Sequence, residues 1–349
     1  MPVSLTGWFS RARGGGRPRP LNLALQGGGA HGAFTWGVLD RLLEAGRFRF
    51  AAVSGTSAGA VNLAVMLTGL QRGGPEVARA HLRRLWLKVA RLAAPIGRMP
   101  APMVELTADL FSPYQFNPLG LNPFADLLAE LIDVEALRHP EAPRLLVAAT
   151  RIADGRVHLF TNETIGIDAV LASACLPRLH HAVRIDGHGY WDGGYTSNPP
   201  LVALIERSAC RDTLLVRINR HETATTPRTG AEIRDRVAEI VFGLPLEREL
   251  AQLALAGEKT RLAAWTDPRA RRLRRARLHV IDAAPILAAL AARTKSVPDR
   301  STLEHLFLQG RAAGADWLDE GPNAVDTAPA FSATGGVASS DGEPGTANL

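Results

Sequence analysis

The sequence predicts an α/β fold in which helices cover both faces of a mixed β-sheet. Short strand-like segments recur along the chain, predicted helices separate most of them, and two glycine-rich turns each connect a strand to a helix. With 349 residues, 46% of them hydrophobic, the chain can bury one large core. The strand-like segments span residues 21–25, 50–53, 145–152, 156–160, 183–185, 214–219 and 278–282.

The first glycine-rich turn, residues 26–32, lies between strand 21–25 and a predicted helix over residues 33–45, which Gly46 suits as C-terminal cap. Successive glycines let backbone N–H groups approach an anion closely, as an oxyanion hole or a phosphate cradle requires. The turn satisfies the G-x-G-x-x-G dinucleotide pattern, but the next strand ends without the acidic residue that would hold a ribose, and no G-K-[ST] follows for a P-loop. An oxyanion hole is therefore favoured. Its candidate residues are Gly27, Gly28, Gly29 and Gly32.

The second turn, V-S-G-T-S-A-G over residues 53–59, leads from an apolar strand into an apolar helix that ends near Gly69. Ser57 at its centre is the candidate nucleophile. Gly55 and Gly59 bracket it, because the strained backbone that exposes a nucleophilic hydroxyl leaves no room for neighbouring side chains. The following helix directs the positive end of its dipole at developing negative charge. An ordinary glycine- and serine-rich turn would have the same appearance.

Residues 75–143 differ in character from the rest. We expect a helix to about Leu92, a proline-punctuated apolar stretch, and a second helix to Ile132. Loops of this length tend to be lids or binding segments, although plain packing over the sheet edge would explain the same pattern. The apolar side chains are Met103, Leu110, Phe111, Tyr114, Phe116, Leu119, Leu121 and Phe124.

A third motif, Asp192-Gly193-Gly194, follows a predicted hairpin whose turn is residues 186–187. A carboxylate followed by two glycines has little steric cover at a strand end, so Asp192 could approach the hydroxyl of Ser57 as a base. Taken alone, the same three residues are also typical of a surface turn.

The three motifs, in this order, resemble the patatin-like phospholipase family over about residues 21–220. The resemblance implies a largely parallel sheet with the nucleophile at a strand-to-helix elbow. It further implies a catalytic dyad of Ser57 and Asp192, with Gly27, Gly28 and Gly29 as the oxyanion loop. The motif-supporting glycines would be Gly55, Gly59, Gly193 and Gly194.

Two further segments are similar to the family. Residues 172–177 resemble its small-residue turn, after which the chain departs from the pattern, with Leu179 where an aromatic is usual and His180-His181-Ala182 where a proline is usual. The departure concerns the shape of the acyl pocket and leaves the dyad unaffected. Residues 196–200 also match and are expected to open the next helix.

The implied function is a serine acyl hydrolase, of phospholipase A or lysophospholipase type, that releases fatty acids from acyl-ester lipids. We expect no metal or other cofactor, since His-Glu-x-x-His, cysteine clusters and calcium-loop spacing are not found in the sequence. One alternative is a catalytically silent lipid-binding or scaffold protein. Another is a Ser-His-Asp esterase completed by His279 or His305. His31 is more consistent with a supporting or substrate-facing role than with a base.

The formal charge of +6 comes almost entirely from arginine. Six arginines lie between Arg269 and Arg277, and a predicted helix carries a second basic set. Such patches could hold the protein at an anionic membrane surface, with a plain solvated surface as the alternative. No nucleic-acid motif or aromatic interleaving accompanies them, so nucleic acid is not an expected partner. The second set comprises Arg79, Arg83, Arg84, Lys88 and Arg91.

We expect one main domain with additions. Residues 1–20 would be a flexible basic arm, 21–220 the catalytic domain with a lid-like insertion at about 75–143, 221–320 a helical extension with one strand, and 321–349 a disordered tail. No apolar run reaches the roughly 18 residues that cross a bilayer. The N-terminus has no signal-peptide pattern, and the chain has two cysteines, so a reducing, cytoplasmic location is expected. The sequence does not indicate an oligomeric state.

Overall fold

The computed structural model describes residues 18–97, 110–223, 225–258, 267–287 and 299–324. Within these residues, eight strands form one sheet. They are β1 (Arg19–Leu25), β2 (Phe48–Thr56), β3 (Arg144–Arg151), β4 (Val157–Thr161), β5 (Val183–Ile185), β6 (His188–Asp192), β7 (Asp212–Arg217) and β8 (Arg277–Asp282). The strands are linked in the order β5–β6–β3–β2–β1–β7–β8, and β4 also pairs with β3.

The sheet is mixed and largely parallel, as the sequence predicts. β3, β2, β1, β7 and β8 pair in parallel, whereas β4 and β6 pair antiparallel with β3, and β5 pairs antiparallel with β6. The carboxyl ends of the five parallel strands therefore meet at one edge, where α/β proteins commonly bind their ligands.

Helices connect most of these strands. They are α1 (Gly32–Ala45), α2 (Ala58–Gly73), α3 (Pro75–Gly97), α4 (Pro113–Phe116), α5 (Pro123–Leu131), α6 (Val134–Arg138), α7 (Ile167–Ser173), α8 (Leu201–Arg207), α9 (Gly230–Glu258), α10 (Pro268–Arg275), α11 (Ala284–Leu287) and α12 (Arg300–Ala324). Short 3₁₀ turns occur at Gly29–His31 and Gly193–Tyr195. No helix in the described part of the chain is both long and apolar enough to span a bilayer.

Alternate strand residues face two separate apolar cores, as the two-residue period of a strand requires. In β1, Leu23 and Leu25 lie in the larger core with residues of α1, α2, α3 and α12, whereas Ala24 lies in the smaller one with residues of α8 and α9. Helices thus cover both faces of the sheet, which confirms the predicted fold class.

The C-terminal part of the chain belongs to this same body. β8 extends the sheet beside β7, and α12 packs on α1. The two helices α1 and α12 cross closely at Gly37 and Gly310. A Cβ on Gly37 would overlap the carbonyl oxygen of Phe307, and a Cβ on Gly310 would overlap that of Phe34. Asp40 of α1 is buried there and pairs with arginines of α3 and α12, Arg79 and Arg311.

Several expected elements differ in extent. The amphipathic pattern of residues 232–262 predicts a helix with a break near Gly243 and Pro245, whereas α9 runs unbroken through both. The pattern Ser301-Thr302-Leu303-Glu304 predicts a capping box that opens the last helix. This prediction is wrong: α12 begins at Arg300, and the carboxylate of Asp299 accepts the N–H of Thr302 at 2.7 Å. A carboxylate is a strong N-cap and also interacts well with the helix dipole.

Some expectations fall on residues that the structure does not describe. Met103 belongs to residues 98–109, most of the basic arm to residues 1–17, and the tail beyond Ala324 to residues 325–349. Of the insertion, α3 extends past Leu92 to Gly97, and α5 ends at Leu131. Its exposed large apolar side chains are Leu92, Leu110, Phe111, Tyr114, Phe116, Leu119 and Leu121.

Candidate active site

Ser57 occupies a sharp turn between β2 and α2. Its φ of 53° and ψ of −126° lie in a region that side chains other than glycine rarely adopt, and such strain is typical of functional sites. Its N–H donates to Oγ of Ser173 at 2.9 Å, and its carbonyl accepts the N–H of Val61 at 3.0 Å. The turn is therefore fixed by Ser173 at the end of α7 and by the first hydrogen bond of α2.

The glycines on either side of Ser57 are required by close packing. A Cβ on Gly59 would overlap the carbonyl oxygen of Leu25, and one on Gly55 would lie 2.8 Å from the N atom of Ala60. Backbone segments therefore approach both positions too closely for any larger residue.

β3 brings Asp192 next to this turn. β4 pairs with residues 146–150 along one edge of β3. β2 and β6 each pair with some of these same residues, so both must lie along the other edge of β3. Thr56 pairs with Ala148 and Asp192 pairs with Ala149. β2 and β6 thus end head to head, about one residue rise of 3.3 Å apart along β3. Ser57 and Asp192 are neighbours although their sequence positions are far apart.

Asp192 is fully buried and held by its own strand end. Its Oδ1 accepts the N–H of Gly194 at 2.7 Å, its carbonyl accepts Oγ1 of Thr150 at 2.8 Å, and its N–H donates to Cys175. A Cβ on Gly193 would overlap the carbonyl oxygen of Ala148, and one on Gly194 would overlap the ring of Phe242. Both glycines of the motif are therefore required by packing.

The glycine-rich loop after β1 lies against the serine turn. A Cβ on Gly27 would come within 2.7 Å of Cβ of Ser57, and one on Gly32 within 2.8 Å of Cβ of Ala58. Gly29 has a φ of 59°, in the region that favours glycine. The structure therefore places the expected oxyanion loop beside the expected nucleophile.

The structure revises the expected role of Gly27. Its N–H donates to Oδ1 of Asn198 at 2.7 Å, so it is occupied. Within the described residues, the N–H groups of Gly28 and Gly29 donate to no other group. These two N–H groups of the loop are therefore available to an anion.

Three buried amides hold this loop, and sequence reasoning missed them. Oε1 of Gln26 accepts the N–H groups of Ile218 and Asn219, at 2.8 and 3.0 Å. Nδ2 of Asn219 donates to the carbonyl of Gly27 at 2.5 Å, and Nδ2 of Asn198 donates to the same carbonyl at 3.3 Å. Asn198 lies in the segment already noted for its similarity to the family, which is the one signal that could have singled it out.

Asp192 and Cys175 are buried, whereas Tyr195 keeps 36% of its surface exposed. Burial, together with the charge of Asp192, raises the pKa of Cys175 to about 11 and that of Tyr195 to about 12. Both side chains therefore stay protonated at neutral pH, and Cys175 is not an ionised competitor of Ser57. Cys175 and Cys210 are both free thiols.

The two histidines considered for a triad lie elsewhere. His279 of β8 and Val53 of β2 lie in the same row of paired residues, with β7 and β1 between them. His279 is therefore three strand spacings, or about 14 Å, away from β2. Its Nε2 lies 3.1 Å from Oδ1 of Asp212. His305 is exposed on α12. Neither is brought to Ser57.

The structure also shows where the two departures from the family pattern lie, Leu179 and the segment 180–182. Leu179 is exposed, and the ring of His181 lies against that of Tyr114 of α4, tilted by 30° with centroids 4.1 Å apart. The insertion therefore contacts the segment that leads to Asp192. His31 is buried at the start of α1. No group of three His, Cys, Asp or Glu side chains that could hold a metal ion occurs in the described ranges.

The sequence profile of the Patatin-like phospholipase family matches residues 23–205, more than half of the chain. A comparison with curated proteins found no match.

Three similar solved structures are those of VipD and, twice, of ExoU. VipD from Legionella pneumophila is 16% identical with a TM-score of 0.41, over 87% of this chain and 67% of that one. The type III effector ExoU is 17% identical with a TM-score of 0.37, over 86% and 53% of the two chains. ExoU in its complex with SpcU, from Pseudomonas aeruginosa, is 12% identical with a TM-score of 0.35, over 86% and 52%. The chain thus spans about two-thirds of VipD and about half of ExoU. By the match of its family profile, the chain belongs to the patatin-like phospholipase family.

Proposed function

We propose that the chain is a serine hydrolase of acyl-ester lipids in which Ser57 and Asp192 form the catalytic dyad. Membership of the patatin-like phospholipase family supports a lipid acyl hydrolase in general. The observation that carries the dyad is the register of β3, whose adjacent residues Ala148 and Ala149 pair with Thr56 and Asp192.

The proposed reaction needs no group beyond these residues and water. Asp192 accepts the proton of the Ser57 hydroxyl as Oγ attacks the ester carbonyl carbon. The N–H groups of Gly28 and Gly29 donate to the oxyanion, and the dipole of α2 favours the same charge. The intermediate expels the alcohol, which takes the proton from Asp192. Asp192 then deprotonates a water molecule that attacks the acyl carbon, and it returns this proton to Oγ of Ser57 as the fatty acid leaves.

An aspartate is an intrinsically weak base, so the dyad depends on geometry and on exclusion of water. The buried position of Asp192 and the raised pKa of the buried Cys175 support such an environment. Peripheral contact with an anionic membrane and a reducing, cytoplasmic location remain part of the proposal, the latter because both cysteines are free.

The proposal is tested by offering the protein a panel of phospholipids and lysophospholipids and identifying the products by mass spectrometry. A fluorophosphonate should label Ser57, located by peptide mapping, and Ser57→Ala should lose both label and hydrolysis. Folded protein that is not labelled and releases no fatty acid would instead favour a catalytically silent lipid-binding or scaffold protein.

A further inference from the structure

Both backbone groups of Gly27 are held by side-chain amides. Its N–H donates to Oδ1 of Asn198 at 2.7 Å, and its carbonyl accepts Nδ2 of Asn219 at 2.5 Å and Nδ2 of Asn198 at 3.3 Å. Asn198 and Asn219 are only 0% and 3% exposed. Buried polar groups paired in this way favour one backbone orientation, because any other leaves a donor or acceptor unsatisfied.

The carbonyl of Gly27 shares a peptide plane with the N–H of Gly28. This peptide is trans, so its two polar groups point in opposite directions. When the asparagines fix the carbonyl on one side, the N–H of Gly28 is fixed on the other. A rotated peptide would present an oxygen, instead of a donor, to the developing oxyanion.

We propose that Asn198 and Asn219 are positioning residues that lock the Gly27–Gly28 peptide with its N–H available to the oxyanion. The inference rests on the proposed function, since it concerns the oxyanion hole of that reaction. Neither asparagine is assigned a contact with substrate.

Two further contacts tie Asn198 to the rest of the site. Its Nδ2 also donates to the carbonyl of Phe242 in α9 at 3.0 Å. The adjacent carbonyl, that of Ser197, accepts Oγ1 of Thr56 at 2.8 Å. The segment that carries the lock is thus bonded both to α9 and to the end of β2 from which Ser57 follows.

Two substitutions of Asn198 separate a lock from a packing role. Asn198→Asp keeps the shape and the acceptor for the N–H of Gly27, but it places a negative oxygen against the carbonyl. Asn198→Ala removes both bonds to Gly27, together with the bond to Phe242, and leaves Asn219 to hold the carbonyl of Gly27. We expect kcat for a short-chain 4-nitrophenyl ester to fall about 10³-fold in the first and about 10-fold in the second. KM should change little, because the lost donor acts in the transition state. If the side chain only filled space, Ala would be the more damaging.

Asn162 offers a matched control outside the site. Its Oδ1 accepts the N–H of Leu145 at 2.8 Å, and its Nδ2 donates to the carbonyls of Leu137 and Pro143 at 2.8 and 3.1 Å. Asn162→Asp therefore makes the same chemical change to an amide with the same bonds. It should lower the unfolding temperature while the folded protein keeps its kcat.

A second pair of variants decides the matter if Asn198→Asp does not fold. Asn219→Ala and Asn198→Ala each leave one amide on the carbonyl of Gly27, so each alone should lower kcat about 10-fold. Together they should lower it about 10³-fold, more than the product of the single effects, because neither amide remains.

All variants are compared by ester turnover and by the rate at which a fluorophosphonate labels Ser57. Wild-type kcat in Asn198→Asp, a larger loss in Asn198→Ala, or simple multiplication of the two alanine effects would overturn the lock. A wild-type protein that neither turns over ester nor is labelled would overturn the proposed function, and the lock with it. Active wild-type protein with unaffected variants would overturn the lock alone.

Discussion

Ser57 is held in an unfavourable backbone conformation by contacts on both sides of its turn. Ser173 accepts its N–H, and Thr56 before it is bonded to the segment that follows Asp192. Strain of this kind persists only where surrounding bonds determine it, at a cost of about 1–3 kcal/mol. The residue that bears the strain is the proposed nucleophile.

Substitutions at the dyad should separate it from a triad. Asp192→Asn keeps the size of the side chain but removes the base, so kcat should fall at least about 10³-fold, nearly as far as in Ser57→Ala. His279→Ala and His305→Ala should retain most activity in folded protein. Turnover of a short-chain ester, with circular dichroism as the control for folding, measures the comparison. A folded histidine variant as inactive as Ser57→Ala, beside an active Asp192→Asn, would disprove the assignment of Asp192 as base.

Sequence reasoning located the motif residues but not the amides that support them. Ser57, Asp192 and the glycines carry a spacing signal, because tight backbone turns require their residue types. Asn198 and Asn219 act across 171 and 192 positions of the chain, so no local pattern shows what they bond. The same limit applies to Gly27, whose N–H is occupied by one of those distant side chains.

At the scale of elements, the strands were the most predictable part. Strands such as β1 and β3 were predictable because they are buried apolar runs. The end of α1 was predictable because Gly46 caps it in the left-handed conformation, with φ of 63°. α9 was harder, since Pro245 suggests a break, whereas the helix passes through it and buries Leu246 and Leu253 in the smaller core. Tertiary packing there outweighs local propensity.

α9 also reaches the site, which its sequence did not reveal. The ring of Phe242 lies 4.8 Å from that of Tyr195. Farther along, the carboxylate of Glu249 accepts Oγ of Ser197 and the N–H of Val202, both at 2.7 Å, and burial raises its pKa. Part of the predicted C-terminal extension therefore supports the segment that follows Asp192.

The crossing of α1 and α12 should be sensitive to a single methyl group. Gly310→Ala would push a Cβ into the Phe34 carbonyl and should lower the free energy of unfolding by about 3 kcal/mol. Gly243→Ala in α9 is the control: its Cβ would meet nothing within 4 Å, so helix propensity should stabilise the protein by about 0.5–1 kcal/mol. Urea unfolding with unchanged m-values measures both. Equal midpoints for the two variants would contradict the close crossing.

At the scale of the whole molecule, the two basic sets are not equivalent. On α3, Arg79 pairs with Asp40 and Glu44, and Arg84 and Lys88 pair with Glu130. These cations are partly neutralised. α10 ends just before β8 begins, so its arginines lie at the amino edge of the parallel strands, opposite the edge that carries Ser57. Its exposed members are Arg269, Arg271, Arg272, Arg274 and Arg275.

If α10 holds the protein at an anionic surface, neutralising it should affect binding and not chemistry. Replacing Arg269, Arg274 and Arg275 together by Gln should weaken binding to anionic vesicles about 10²-fold, at about 1 kcal/mol per residue. Turnover of a soluble short-chain ester should stay at the wild-type level. Vesicle sedimentation at low and high salt gives the measurement, since exposed charges are screened over about 10 Å at 0.1 M. Undiminished, salt-insensitive binding would return these arginines to a plain solvated surface.

β2 and β6 meet head to head on one edge of β3, so the register of β3 sets the distance between the reacting groups. The distance between Ser57 and Asp192 does not depend on the length of chain between them. It depends on the step from Ala148 to Ala149 in β3. One extra residue inserted at this step would move the two strand ends about 3.3 Å farther apart and reverse which face the following side chains occupy. Activity should then vanish, whereas an added residue in the exposed turn at Gly155, between β3 and β4, should be tolerated. Loop length in this protein can therefore change freely where strand length cannot.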